Sequence, residues 1–139
     1  TLDPVALGIH APEPDALREA AYFTERLSDD QMPLAGLVLN RTTSAPQPSL
    51  TPARVESAAQ HVSESPASDE HHATVQHLVA GLLDLHADRL RIAAREAKLV
   101  AGFATTHPEV ATVAVPALAG DVHDLDGLRE IGNLLAAER

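Results

Sequence analysis

"PLAGLVLNR", residues 33–41, decides how the rest of the chain is read. A proline opens it, a short apolar run follows, and it ends abruptly on Asn40 and Arg41. A strand that is apolar on consecutive positions belongs in a sheet covered on both faces. Upstream, "PVALGIHA" (residues 4–11) is a second strand-like run with proline boundaries. Between the two lies "PEPDALREAAYFTERL", in which Pro14 and Asp15 suit a first helical turn. Ala16, Ala20, Phe23 and Leu27 then fall on one face at helical spacing. Strand, helix, strand with short connections is a βαβ unit, so the two strands are expected to be parallel with a right-handed crossover.

Downstream the character changes. Residues 42–68 carry "TTSAPQPSLTP" and "SESPASDE", rich in Ser, Thr and Pro, and read as a flexible loop, with "ARVESAAQHV" between them a candidate short helix. From residue 69 to about 105 a long helical pattern runs. Val75, Leu78, Val79, Leu82, Leu85, Ile92, Ala93, Ala97, Val100 and Phe103 recur there at three- and four-residue steps. Such a helix would reach roughly 50 Å. It either breaks near Gly81 or projects as an arm, and His107-Pro108 stops it. "EVATVAVPA" is a third strand with "LAGDVHDLDG" as its exit loop. The last helix, "LDGLREIGNLLAAER", carries Leu125, Leu128, Ile131, Leu134 and Leu135 on one stripe. The expected architecture is one α/β domain over 1–139, with about three parallel strands, flanking helices and one long helical arm. So small a sheet has two free edges. That, with the opening at Thr1 directly before a strand-like run, points to a portion of something longer.

Composition removes several function classes. Of 139 residues, 45% are hydrophobic but only 2% aromatic, so Ala, Leu and Val must pack the core and little is left for base stacking. The formal net charge of -10 repels a phosphate backbone and no basic patch opposes it, so nucleic acid is not an expected partner. The absence of cysteine removes disulfides, thiol catalysis and thiolate metal sites, and suits a cytoplasmic setting. No apolar run approaches the roughly 20 residues a membrane helix needs.

Motif by motif, catalytic chemistry is missing from this chain. His71, His72 and His77 are dense, yet "EHHATVQH" is not a zinc-binding H-E-x-x-H, and no metal site is expected. Asp121, Asp124 and Asp126 fail the calcium-loop pattern; Asp124 is read instead as the cap of the last helix. No G-x-S-x-G elbow occurs. Lys98 is the single lysine, inside the long helix, and no G-K-[ST] loop exists to cradle a phosphate.

In their order, "PEPDALREAAYFTERL", "MPLAGLVLNR" and "VAVPALAGDVHDLDGLREIG" resemble the C-terminal part of the ArsA-like ATPases. That family includes the arsenical-pump-driving and tail-anchored-protein-targeting ATPases and many members described as anion-transporting. The correspondence covers nearly the whole chain outside 42–68. Each motif alone is weak; their order and spacing carry the likeness. The resemblance implies a partial P-loop-NTPase-like three-layer sandwich. It also implies that Asn40 reads an adenine base, with Pro116, Ala117 and Leu118 as an apolar wall beside it. A carboxamide presents a donor and an acceptor side by side, which matches an adenine edge. Arg41 is a further candidate toward the nucleotide, with a surface ion pair as the other reading. For Asn40, the residues by themselves leave a turn-capping amide as the alternative.

The resemblance further implies ATP and Mg as cofactors of the full-length family protein, with neither expected to bind this chain tightly. The P-loop half that holds phosphate and metal lies upstream in the family, so the chain alone is expected to be catalytically inactive. Expected partners are that missing half, a client or membrane-protein partner, and further copies of the chain through strand or helix exchange. Two departures stand out. His123-Asp124 replaces the family's Arg-Gly, and the cysteines that some members use for zinc and dimerisation are absent. A second reading needs no nucleotide: the chain is a non-enzymatic interaction module whose long helix, with its Ala-rich seam, is the functional element.

Overall fold

The computed structural model describes residues 6–32, 34–44 and 49–137. Pro33, the first residue of the opening stretch, and Pro4 and Val5 lie outside the described residues. In chain order the elements are β1 (Ala6–His10), α1 (Pro14–Asp29), β2 (Leu34–Thr42), α2 (Pro52–Glu64), α3 (Glu70–Thr106), β3 (Thr112–Pro116) and α4 (Leu125–Ala137). The fold is therefore mixed α/β. Its described strands form one parallel sheet in the order β1-β2-β3. Among the described residues, no helix is long and apolar enough to cross a membrane. The chain divides into two compact units, one of Thr1–Ser44 with Glu96–Arg139 and one of Ala45–Arg95.

The first unit holds the sheet. Leu37 and Leu39 of β2 are its most deeply buried side chains, and Leu17, Ala20, Phe103 and Val110 close around them. Fully burying a leucine is worth about 1.5–3 kcal/mol, so this strand anchors the unit. Helix α1 presents Leu17, Ala20, Thr24 and Leu27 inward. That corrects the expected face of Ala16, Ala20, Phe23 and Leu27. The helix is turned so that the larger aliphatic Leu17 is covered, while Phe23 stays exposed. Thr24 enters the core because its hydroxyl donates back to the Ala20 carbonyl at 2.8 Å. The helix ends in a left-handed residue, Gln31 (φ 57), and the Met32 amide closes onto the Leu27 carbonyl at 2.9 Å. This is a Schellman-type stop with glutamine where glycine is usual.

On the opposite face of the sheet, the parallel register aligns Ile9 with Val38 and Val38 with Val113. Helix α4 packs against β3. Accordingly Val115 is buried, Val38 and Val113 are half-buried, and Leu7 and Ile9 of β1 are exposed. The α4 stripe forms as a helix face but is not covered throughout. Ile131 and Leu134 are half-buried, whereas Leu125 and Leu128 are exposed.

The second unit is a helical pair. The candidate short helix in the middle of 42–68 is present as α2, Pro52–Glu64, and extends one residue before and two beyond "ARVESAAQHV", so the loop expectation is confined to its flanks. Thr51 caps it, accepting the Arg54 amide at 3.3 Å, and Pro52 opens its first turn. Helix α3 neither breaks at Gly81 nor uses the expected stripe for packing here. Val75, Leu78, Val79, Leu82 and Leu85 are exposed, while Ala80, Ala87 and Leu90 are buried. Val55 of α2 packs with Ala87 and Leu90, with Leu83 alongside. Small alanines let the helices approach closely, so they outcompete the bulkier leucines for this contact. Glu56 pairs with Arg91, and the Gln76 amide donates to the Ser65 carbonyl at 3.2 Å, so the two helices run antiparallel.

Candidate functional site

Because the strands are parallel, β2 and β3 end on the same edge of the sheet, where open α/β sheets form their ligand crevices. Asn40 pairs in register with Val115, and Thr42 with Pro116. Arg41 is the extra residue between these pairs, held in the left-handed region at φ 61. β2 therefore does not stop at Asn40, as its sequence suggests, but bulges there and continues to Thr42. In a regular strand, Asn40 and Arg41 would face opposite sides of the sheet. The bulge re-aims the chain so that both reach one cleft. Beyond it the Ala117 amide donates to the Thr42 carbonyl at 3.0 Å, resuming the ladder.

The exit loop of β3 supplies the other wall. The Asp124 carboxylate accepts the Gly127 amide at 2.8 Å and starts α4, the capping role expected for it. A Cβ at Gly127 would stand 3.0 Å from a Val122 methyl, so the loop folds tightly over the first turn. From behind, Glu96 holds the β2 exit. Its two carboxylate oxygens accept the Thr43 amide at 2.6 Å and the Thr43 hydroxyl at 2.9 Å.

The result is an open cleft of about 390 Å³, lined by Asn40 and Arg41, by 115–122, and by Ile131. All five residues singled out from sequence, Asn40, Arg41, Pro116, Ala117 and Leu118, lie in this lining. Val115, 119–122 and Ile131 complete it without having been singled out as site residues; the approach of Ile131 depends on how α4 returns over β3. Glu96 was likewise missed. It lies 53 residues from Thr43, and no local pattern connects them.

The lining combines apolar residues (Val115, Pro116, Ala117, Leu118, Val122, Ile131) with the Asn40 carboxamide and with Arg41 and Asp121, of opposite charge. Its ionisable side chains are Arg41 and Asp121. Asn40 is exposed at the C-terminal end of β2, on the edge where the cleft opens. His72, from the dense histidine group, is engaged locally: the Asp69 carboxylate accepts its amide at 2.7 Å, and the Ser68 amide reaches its Nδ1 at 3.3 Å. No protein-family model matches the chain, and no curated protein is detectably similar to it in sequence.

Proposed function

We propose that the first unit is the adenine-binding side of a nucleotide site, in the manner of the C-terminal portion of an ArsA-like ATPase. The observation that carries this reading is the exposed Asn40 carboxamide, set in one cleft with the apolar Pro116–Leu118 segment. An adenine edge offers an acceptor and an amino donor side by side, and a carboxamide meets both. The apolar wall suits the flat face of the base, and a volume of about 390 Å³ lies within the range of small-ligand clefts. On this reading Arg41, in the same lining, would approach the first phosphate.

On this reading the three parallel strands belong to a P-loop-type three-layer sandwich completed by another half. The open face at Leu7 and Ile9 is consistent with such a cover. That half would hold the phosphates and magnesium, which neutralise charge during phosphoryl transfer. The chain's own part is to bind and orient the base, in a cytoplasmic protein that couples ATP turnover to handling a client or membrane partner. Alone it does not hydrolyse ATP.

The test is an amide-resolved NMR titration with AMP, GMP and adenosine. Binding in the millimolar range is expected for AMP and adenosine, with shifts confined to the Asn40 side chain and residues 115–122. Guanine, whose corresponding edge has two acceptors, binds at least about tenfold more weakly. Asn40→Ala removes the response. Equal shifts with GMP, or an unchanged titration in Asn40→Ala, sink the reading.

A further inference from the structure

The peptide group that joins Thr42 to Thr43 is held at both ends. Its carbonyl, on Thr42, accepts the Ala117 amide from the exit of β3 at 3.0 Å. Its amide, on Thr43, donates to one Glu96 carboxylate oxygen at 2.6 Å. In a planar trans peptide these two groups point in opposite directions, so the plane is pinned from both sides. The amide side is the one on which β1 lies, but β1 pairs with β2 only as far as His10 opposite Leu39. Glu96 of α3 thus supplies the acceptor that a longer β1 would have offered. Its other carboxylate oxygen accepts the Thr43 hydroxyl at 2.9 Å, which fixes the carboxylate itself.

This pinned plane decides what happens to Arg41. On one side of it Asn40 is fixed in register with Val115, and on the other Thr42 is fixed opposite Pro116. One residue too many must fit between them, and Arg41 takes up the excess in the left-handed region at φ 61. A residue other than glycine keeps that conformation only where its surroundings impose it. Electrostatics make the outcome matter. The ionisable side chains of the cleft are Arg41 and Asp121, and the whole chain carries a net charge of -10. That field and Asp121 both disfavour a phosphate dianion unless the guanidinium is held in the cleft to meet it. An uncharged nucleoside has no such requirement.

We propose that Glu96 is a positioning residue for the phosphate side of the cleft. By pinning the Thr42–Thr43 peptide it holds Arg41 in the bulge, and so sets a preference for phosphorylated over free nucleosides. The proposal rests on the nucleotide reading of the cleft and divides its labour. Asn40 meets the base whether or not the clamp is closed, since its register opposite Val115 is set by the sheet. Arg41 meets the phosphate only while Glu96 holds the strand.

NMR titrations of the full chain with adenosine and with AMP at low salt test this division. The wild type is expected to bind AMP about five- to tenfold more tightly than adenosine, a preference that Arg41→Ala abolishes. Glu96→Ala is expected to bring the two affinities within about twofold of each other, with adenosine itself changed by less than about twofold. Glu96→Gln, which keeps one acceptor oxygen, falls between and is the milder variant should Glu96→Ala not fold. The intraresidue amide–Hα NOE of Arg41 reads the bulge without any ligand. It is strong at positive φ and is expected to weaken in both Glu96 variants as the strand relaxes. A wild type without AMP preference, a preference that survives in both Glu96 variants, equal loss of both ligands in folded Glu96→Gln, or an unchanged Arg41 NOE overturns the proposal and leaves the base reading standing. A wild type that binds neither adenosine nor AMP overturns the nucleotide reading and this proposal together.

Discussion

Gly36 is the position where a single methyl group should do most harm to the sheet. It is buried in β2, and a Cβ built on it would stand 2.8 Å from the Ala111 carbonyl oxygen. Ordinary carbon–oxygen contacts lie at about 3.3–3.6 Å, so β2 and the start of β3 would have to separate by roughly 0.5 Å. The atom in the way is backbone, which cannot swing aside as a side chain would. That same carbonyl accepts the Leu37 amide at 2.8 Å. Opening the gap by that much stretches the bond to the limit of useful geometry and leaves a buried donor weakly satisfied. Together these effects cost about 1–3 kcal/mol, on the order of 5–15 °C in melting temperature for a unit of this size. Gly8→Ala provides the contrast within the sheet: its Cβ would meet a Leu37 side-chain methyl at 3.2 Å, which can move. Gly81→Ala, with nothing within 4 Å on α3, should stabilise the second unit by up to about 1 kcal/mol through helix propensity. Differential scanning calorimetry and urea titration of the three variants rank them. If Gly36→Ala melts within about 2 °C of wild type, the close approach of β2 to Ala111 does not constrain the sheet and the reasoning is refuted.

Two more substitutions probe how the sheet edge is held. Glu96→Ala removes the acceptor of both Thr43 bonds and should cost about 1–3 kcal/mol in a urea titration. Hydrogen exchange at the Thr43 amide should quicken at least about tenfold, with Glu96→Gln intermediate; unchanged exchange would show that the pair does not hold the β2 exit. Gln31→Gly relieves a left-handed glutamine at the end of α1 and should raise stability by about 0.5–1 kcal/mol in the same assay, a gain that a destabilised variant would contradict.

The βαβ core was legible because its signals are local. Consecutive apolar positions mark β2, the Pro14–Asp15 opening marks α1, and Pro108 marks the end of α3. The faces were less legible, because choosing a helix face requires knowing what packs against it. In α3 two stripes compete, one of leucine and valine and one rich in alanine. Hydropathy favours the first, but α2 packs on the second, because close helix approach rewards small residues over apolar bulk. The leucine stripe is thereby left exposed, and its existence as a surface is visible only once α2 is in place. The same holds for the Ser/Thr/Pro-rich stretch, where Thr51 and Pro52 act as a helix start rather than as loop residues.

The site shows the same division between local and non-local information. Asn40 and the Pro116 segment were singled out through the resemblance of their motifs, since the residues alone leave a turn amide as the alternative for Asn40; the parallel register does set both at one edge of the sheet. What no run of residues discloses is the bulge. Arg41 at φ 61 costs on the order of 1 kcal/mol, and a non-glycine residue in that region persists only where its surroundings impose it. Here the surroundings are the Ala117–Thr42 bond on one side of the bulge and the Glu96 clamp on Thr43 just past it. The strain has a geometric consequence, since without it Arg41 would turn to the sheet's other face and the cleft would lose its cation. Glu96 therefore bears on the cleft from outside it. Loosening the clamp should let the strand relax toward regular pleating and withdraw Arg41 from the cleft, while Asn40 keeps its place opposite Val115.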